Sequence, residues 1–183
     1  DFKFAKLEEK PGLLTGYYEP SINVSKTKNE KYKYPVLKKN KKFINKSRQW
    51  IESKYDVEDV LLWTDDNINL FFLHIQGSGL GKFQDGKIIK INYNGNNNLP
   101  YTSIGKYLKK KELMKNSDIN LFSIKDWLRE NPEYSQDILN LNKRFIFFKT
   151  EKIKVKTHAV GAAGLPLMAD TSIAVDKKIY PLG

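Results

Sequence analysis

The sequence contains no cysteine, which excludes disulfide staples, thiol nucleophiles and cysteine-ligated metal centres. Histidine is nearly absent as well. Only His74 and His158 occur, so a zinc site would have to lean on carboxylates, and no metal or other cofactor is expected. Arginine is confined to Arg48, Arg129 and Arg144 although the net charge is +11. The excess is therefore lysine spread along the chain, without the planar fork that grips phosphate bidentately. With no RNA-binding signature beside it, that pattern argues against a nucleic-acid partner. No segment approaches the ~20 apolar residues of a membrane-spanning helix, and no basic-then-apolar leader opens the chain. It begins with Asp1 rather than Met, so a processed or trimmed product is expected, joined to a membrane only through an anchor or signal outside these residues.

What is present suffices for a core: 183 residues, 40% hydrophobic and 13% aromatic. The first ten residues are charged and lack a clear period. Leu13-Leu14-Thr15-Gly16-Tyr17-Tyr18-Glu19-Pro20 then offers a short strand in which adjacent tyrosines point to opposite faces. Tyr34-Pro35-Val36-Leu37 suits a short edge strand, and 45–55 carries a helical pattern that would bury Trp50 and Ile51. Val57 to Trp63 fits a helical turn or a strand. Asp85-Gly86 lies between two strand-like runs and predicts a hairpin. Further on, a helix is expected from about Thr102, its amino end facing the ligand region. A second is expected behind a Ser123 cap and ahead of Asn131-Pro132, and a short third over Ser135 to Leu141. A core strand follows at 144–149, then a small-residue turn at 161–167 and a last strand at 171–176.

The stretch 71–79, Phe-Phe-Leu-His-Ile-Gln-Gly-Ser-Gly, reads as an apolar strand that delivers polar groups into an open turn. Glycines at 77 and 79 would let a ligand approach the backbone, while Gln76 and Ser78 supply donors and acceptors suited to a hydroxyl-rich ligand. Taken alone, the same pattern fits a buried strand followed by an ordinary glycine-containing turn.

Six blocks in order change that balance: 15–20 (Thr-Gly-Tyr-Tyr-Glu-Pro), 76–79 (Gln-Gly-Ser-Gly), Tyr93-x-Gly-x-Asn97, Pro100-Tyr101-x-Ser103-Ile104-Gly105-Lys106, 144–148 (Arg-Phe-Ile-Phe-Phe) and 172–176 (Ser-Ile-Ala-Val-Asp). Together they resemble the MltA family of membrane-bound lytic murein transglycosylases. The resemblance implies a peptidoglycan-cleaving enzyme acting on the β-1,4 bond between N-acetylmuramic acid and N-acetylglucosamine. The muramyl 6-hydroxyl would attack internally to leave a 1,6-anhydro end. It also implies a fold that is mainly β with helices (α+β), a small β-barrel domain with helices at 21–158 inserted into an incomplete double-psi β-barrel domain at 1–20 and 159–183. The expected partner is the peptidoglycan glycan strand and the expected location periplasmic, at the outer membrane.

In the family the catalytic aspartate lies in a His-Phe-Asp type segment, and no such segment occurs up to Gly183. The acid is therefore expected C-terminal of this chain, which leaves a non-catalytic glycan-binding module as the alternative. A reaction whose nucleophile comes from the substrate needs one carboxyl, first as acid and then as base, where most glycosidases need two. Asp65, Asp66 and Asp85 sit in turn-like sequence. Glu19 could help define a groove, Asp176 suits an orienting role, and His74 and His158 suit packing and linker roles. The glycan-binding candidates are Thr15, Tyr17, Tyr18, Gln76, Gly77, Ser78, Gly79 and Tyr101. Aromatic faces would stack on sugar rings while amides and hydroxyls bond ring substituents.

Overall fold

The computed structural model describes residues 19–115, 119–152 and Met168. Six strands form one sheet in the order β2-β3-β1-β4-β5-β6. They are β1 (Ser21–Ser25), β2 (Tyr34–Leu37), β3 (Val60–Thr64), β4 (Gly79–Lys82), β5 (Ile88–Asn96) and β6 (Ile146–Lys152). β1 pairs parallel with β4, and every other pairing is antiparallel. Five helices accompany the sheet: α1 (Arg48–Lys54), α2 (Asn67–Gln76), α3 (Ile104–Lys110), α4 (Leu121–Glu130) and α5 (Pro132–Leu141). The expectation of a mainly β small barrel is corrected in two respects. Helices take at least as much of the described chain as strands, and the sheet is open. Its two edges, β2 and β6, lie near each other without a ladder between them, and Lys38, just past β2, makes an isolated parallel bridge to Phe148. The segments expected to belong to a double-psi barrel, 1–20 and 159–183, fall almost wholly outside the described residues.

Several local expectations hold. β2 is an edge strand, and Pro35 sits there because an edge leaves its missing N–H without consequence. The hairpin at Asp85-Gly86 joins β4 to β5, closed by Phe83 N–H donating to Lys87 O at 2.9 Å. Residues 57–63 are both things the sequence allowed, a single helical turn at Val57–Asp59 followed by β3. Other details shift. Ile51 of α1 is fully buried, but Trp50 is half exposed with Lys46 over its ring. The cap of α4 is Asn120, whose side chain accepts from Phe122 and Ser123 N–H, while Ser123 returns the second half of a capping box. Helix α5 starts at Pro132, where a proline at the first helical position loses no hydrogen bond.

The larger correction concerns 71–79. Residues up to Gln76 belong to helix α2, whose Asp66 cap accepts from Asn69 N–H at 2.9 Å and which ends at Gly77 in the left-handed conformation, φ 82°. This helix divides two cores. Leu70 and Leu73 pack against the sheet with Ile22, Val24, Val36, Leu62, Ile91 and Phe148. Phe71 and Phe72 face the opposite way, into Ile104 and Leu108 of α3, Ile124 and Leu128 of α4 and Ile138 of α5. Five consecutive residues, Leu70 to His74, are buried. A helix covered on all sides has no polar face, so its run Leu-Phe-Phe-Leu shows no helical period and mimics a buried strand.

A polar knot fastens α2 to its surroundings. The buried Arg48 guanidinium donates to Asn142 O at 3.2 Å, Arg144 O at 3.0 Å and Glu52 Oε1 at 3.2 Å. It lies 5.0 Å from the ring centroids of both Phe71 and Phe145. Beside it sits His74, fully buried on α2 and not half-buried in a strand. Its Nδ1 accepts from Ile146 N–H at 3.2 Å, so the neutral ring carries its proton on Nε2. Asn97 ties the next turn of chain. Its Nδ2 donates to Lys46 O and Lys143 O at 2.7 and 2.8 Å, and its Oδ1 accepts from Phe145 N–H at 2.8 Å.

Burial, and then the neighbouring Arg48 charge, hold the His74 imidazole well below its usual pKa, so the folded protein keeps it neutral. The unfolded chain titrates near 6.5. Above that pH neither state binds the proton, and this histidine contributes no pH dependence. Below it the unfolded state gains a proton that the folded state refuses, and stability falls by up to about 1.4 kcal/mol per pH unit. His74→Asn keeps an acceptor for Ile146 N–H without a titrating ring. Urea midpoints measured at pH 7 and pH 5 should fall further for the parent than for His74→Asn, and an equal fall would remove His74 as the acid-sensitive group.

Candidate functional site

The carboxyl end of α2 brings the polar segment to the surface. Gly77 N–H closes the helix on Leu73 O at 2.8 Å, and the left-handed turn then directs the chain into β4. Gln76 is the exposed residue of α2, Gly77 and Ser78 are half-buried, and Gly79 is buried. The two glycines have different reasons to be glycine. At Gly77 a side chain would meet nothing within 4 Å, and only the positive φ disfavours one. At Gly79 a Cβ would stand 2.4 Å from Pro20 O and 2.7 Å from Leu73 Cδ1. The close approach at Gly79 is thus made by the protein's own chain. Pro20 O also accepts from Leu80 N–H at 2.9 Å, which seats the start of β1 alongside β4. Glu19, next in the chain, forms an ion pair with Lys90 of β5. Thr15, Tyr17 and Tyr18 lie outside the described residues, as do His158 and Asp176.

Tyr101, half exposed, stands at the mouth of a groove of about 360 Å³. Phe72 and Ile75 of α2 form one wall, residues 103–109 a second, and Ile119 to Ile124 the third. The structure therefore places Tyr101 with Ile75, the residue before Gln76, whereas Gln76, Gly77, Ser78 and Gly79 lie outside the groove lining. Helix α3 begins at Ile104, and its Ser103 cap accepts from Lys106 N–H at 3.3 Å. Lys106 and Lys109 also line this groove. They went unnoticed in the sequence because a lysine-rich helix most simply presents a solvated face. Their spacing of three on a helix that starts just after Tyr101 and Ser103 was the available signal.

A second hollow, of about 340 Å³, lies between Tyr34, Asp65, Asp66, Arg129 and Gln136. Its carboxylates are engaged. Asp65 accepts from Asn23 Nδ2 at 3.0 Å, and Asp66 caps α2 and pairs with Arg129 at 3.2 Å. Asp85 accepts from Lys87 N–H at 3.1 Å within the hairpin. Asp66 and Asp85 thus act in a cap and a turn, while Asp65 holds the side chain of Asn23 on β1. Lys125, behind α2, donates to Asn69 Oδ1 at 2.9 Å and lies over the Phe72 ring, and burial pulls its pKa below the usual lysine value. Among the described residues no cluster of histidine and carboxylate side chains could hold a metal ion.

Residues 13–149 match the family described as the MltA specific insert domain. The chain belongs to the MltA family. It is 34% identical over 179 residues to a membrane-bound lytic murein transglycosylase A homolog of Buchnera aphidicola, covering 93% of this chain and 48% of that protein. The crystal structure of Escherichia coli MltA with bound chitohexaose superposes with a TM-score of 0.82 at 29% identity, covering 91% of this chain and 50% of that one. The lytic transglycosylase LtgG of Burkholderia pseudomallei superposes at 0.77 and 36% identity, covering 93% and 53%. The chain thus spans about half the length of the MltA relatives it matches.

The two glycines separate in a simple test. Gly79→Ala forces Cβ against backbone and should cost about 2–4 kcal/mol. Gly77→Ala has space but pays for the left-handed backbone, about 1–2 kcal/mol. Urea unfolding of both variants checks the order, and a costlier Gly77→Ala would contradict this account of Gly79.

Proposed function

We propose that this chain is the glycan-gripping part of a peptidoglycan lytic transglycosylase that cleaves the β-1,4 bond between N-acetylmuramic acid and N-acetylglucosamine. The observation that carries the reading is the end of α2, where exposed Gln76 and half-buried Ser78 follow Ile75, a wall of the Tyr101 groove, in a fold shared with a relative solved with chitohexaose. Gln76 and Ser78 bond sugar hydroxyl and N-acetyl groups, Gly77 and Gly79 shape the segment that presents them, and Tyr101 offers a ring face. Thr15, Tyr17 and Tyr18 complete the proposed set. In this reading 21–158 is the smaller domain, 1–20 and 159–183 belong to the larger barrel, and the protein works in the periplasm at the outer membrane.

The chemistry follows from the substrate. The muramyl 6-hydroxyl oxygen bonds to C1 while the C1–O bond to N-acetylglucosamine breaks. One carboxylic acid gives its proton to the departing oxygen and takes the proton of the attacking hydroxyl, so no water enters the product. Such an acid must be partly desolvated to stay protonated near neutral pH. The described carboxylates of the second hollow and the hairpin are engaged, Asp65 by Asn23, Asp66 by its cap and Arg129, and Asp85 by Lys87, in keeping with an acid supplied from polypeptide beyond Gly183. The alternative is a glycan-binding module without catalysis.

Two measurements test this. Residues 1–183 should bind chitohexaose by calorimetry, and Gln76→Ala should weaken binding roughly 3- to 10-fold, the worth of one or two hydrogen bonds, with an unchanged melting temperature. Equal affinity would remove Gln76 from the site. A polypeptide extended beyond Gly183 should release 1,6-anhydro-muropeptides from purified sacculi while residues 1–183 alone release none. No release by the extended form would favour the module.

A further inference from the structure

The groove beside Tyr101 has a chemistry that sugar binding does not explain. Its floor is aliphatic and aromatic, built from Phe72, Ile75, Ile104, Ile119, Leu121 and Ile124. Sugars are gripped by hydroxyl- and amide-bearing side chains and by flat ring faces, and of those the groove offers Tyr101, while the Ser103 hydroxyl and the Asn120 amide oxygen are already used as helix caps. Its rim is cationic instead. Lys106 and Lys109, three residues apart and so on one face of α3, both line it, and among the described residues no aspartate or glutamate does. Among the described residues neither lysine has a carboxylate within ion-pair distance. Lys110 and Lys111 continue the positive charge on the exposed side of the same helix end.

An apolar floor under two ammonium groups that no described carboxylate pairs with fits a short acidic peptide, with small side chains laid on the isoleucines and carboxylates held at the rim. We propose that this groove receives the acidic peptide branch of the wall polymer whose glycan backbone lies at Gln76 and Ser78. The geometry joins the two parts: Ile75 lines the groove and Gln76, the next residue, is the exposed end of the same helix. A nucleic acid fits less well, since the lysines lack the bidentate fork for phosphate and the floor offers branched aliphatic surface where bases stack on rings. The inference rests on the glycan reading above and adds a preference for peptide-bearing over bare strands.

Glycan strands bearing peptides and the same strands stripped by an amidase, titrated into residues 1–183 by calorimetry, test it. The parent should bind the peptide-bearing strand about 3- to 10-fold more tightly, with the advantage shrinking as salt rises from 50 to 300 mM, as screened rim charges require. In Lys106→Gln/Lys109→Gln, exposed changes that leave the core intact, the ratio of the two affinities should fall toward one. Equal affinities in the parent, or a ratio untouched by the double substitution, overturn the peptide groove and leave the glycan site standing. Failure of the parent to bind either strand overturns the glycan reading together with it.

Discussion

Helix α2 is buried on both flanks, and covering it dictates where the rest of the chain goes. Its Leu70 and Leu73 need an apolar sheet face, and its Phe71 and Phe72 need a helical layer. Each fully buried side chain of this size is worth about 1.5–3 kcal/mol, so leaving either flank exposed would forfeit a large part of a typical folding free energy. The sheet and the layer of α3, α4 and α5 are the two answers to that requirement. Where they meet, Arg48 closes the seam. Its charge is affordable inside because carbonyls of 142 and 144, the Glu52 carboxylate and two phenylalanine faces surround it. Burial drives the Glu52 carboxyl upward and Arg48 opposes that, which keeps the pair together.

The same helix explains the position of the candidate site. A helix enclosed along its length can offer the outside only its ends, and the amino end of α2 is occupied by its Asp66 cap and by Arg129. The carboxyl end emerges as Gln76, turns at Gly77 and enters the sheet at Gly79. The two glycines of that exit are held from within, Gly77 by Leu73 O and Gly79 by its contact with Pro20. Polar groups placed on so rigid a support lose little freedom when they bind a ligand, which is the physical advantage of presenting them from a helix end. The groove beside Tyr101 borrows its wall from the helix too, through Phe72 and Ile75.

Much of the local structure was legible in the sequence. The turn chemistry at Asp85-Gly86, the proline on an edge strand and the helical patterns of α1 and α4 announced themselves, because each is settled by a few neighbouring residues. The polar exit at 76–79 was legible too, although only Gln76 of it is exposed and Gly79 is buried against the chain at Pro20. The identity of the element before it was not. Periodicity reveals a helix only when one face is polar, and α2 has none, so the caps at Asp66 and Gly77 were the sole local clues. Nor could sequence show that Gly79 is small for the sake of Pro20, or that Lys106 and Lys109 share a groove with Phe72. Those pairs lie far apart along the chain.

The sequence by itself determined the family, the absence of cysteine chemistry, the turns, and the polar residue types at 76–79, since all of these reside in composition and short motifs. Tertiary structure alone decided that the central apolar run is a helix, that the sheet stays open, and which polar groups face a groove and which are consumed as caps. Those outcomes depend on what covers each face of α2, and a face acquires its cover only when distant segments of the chain meet.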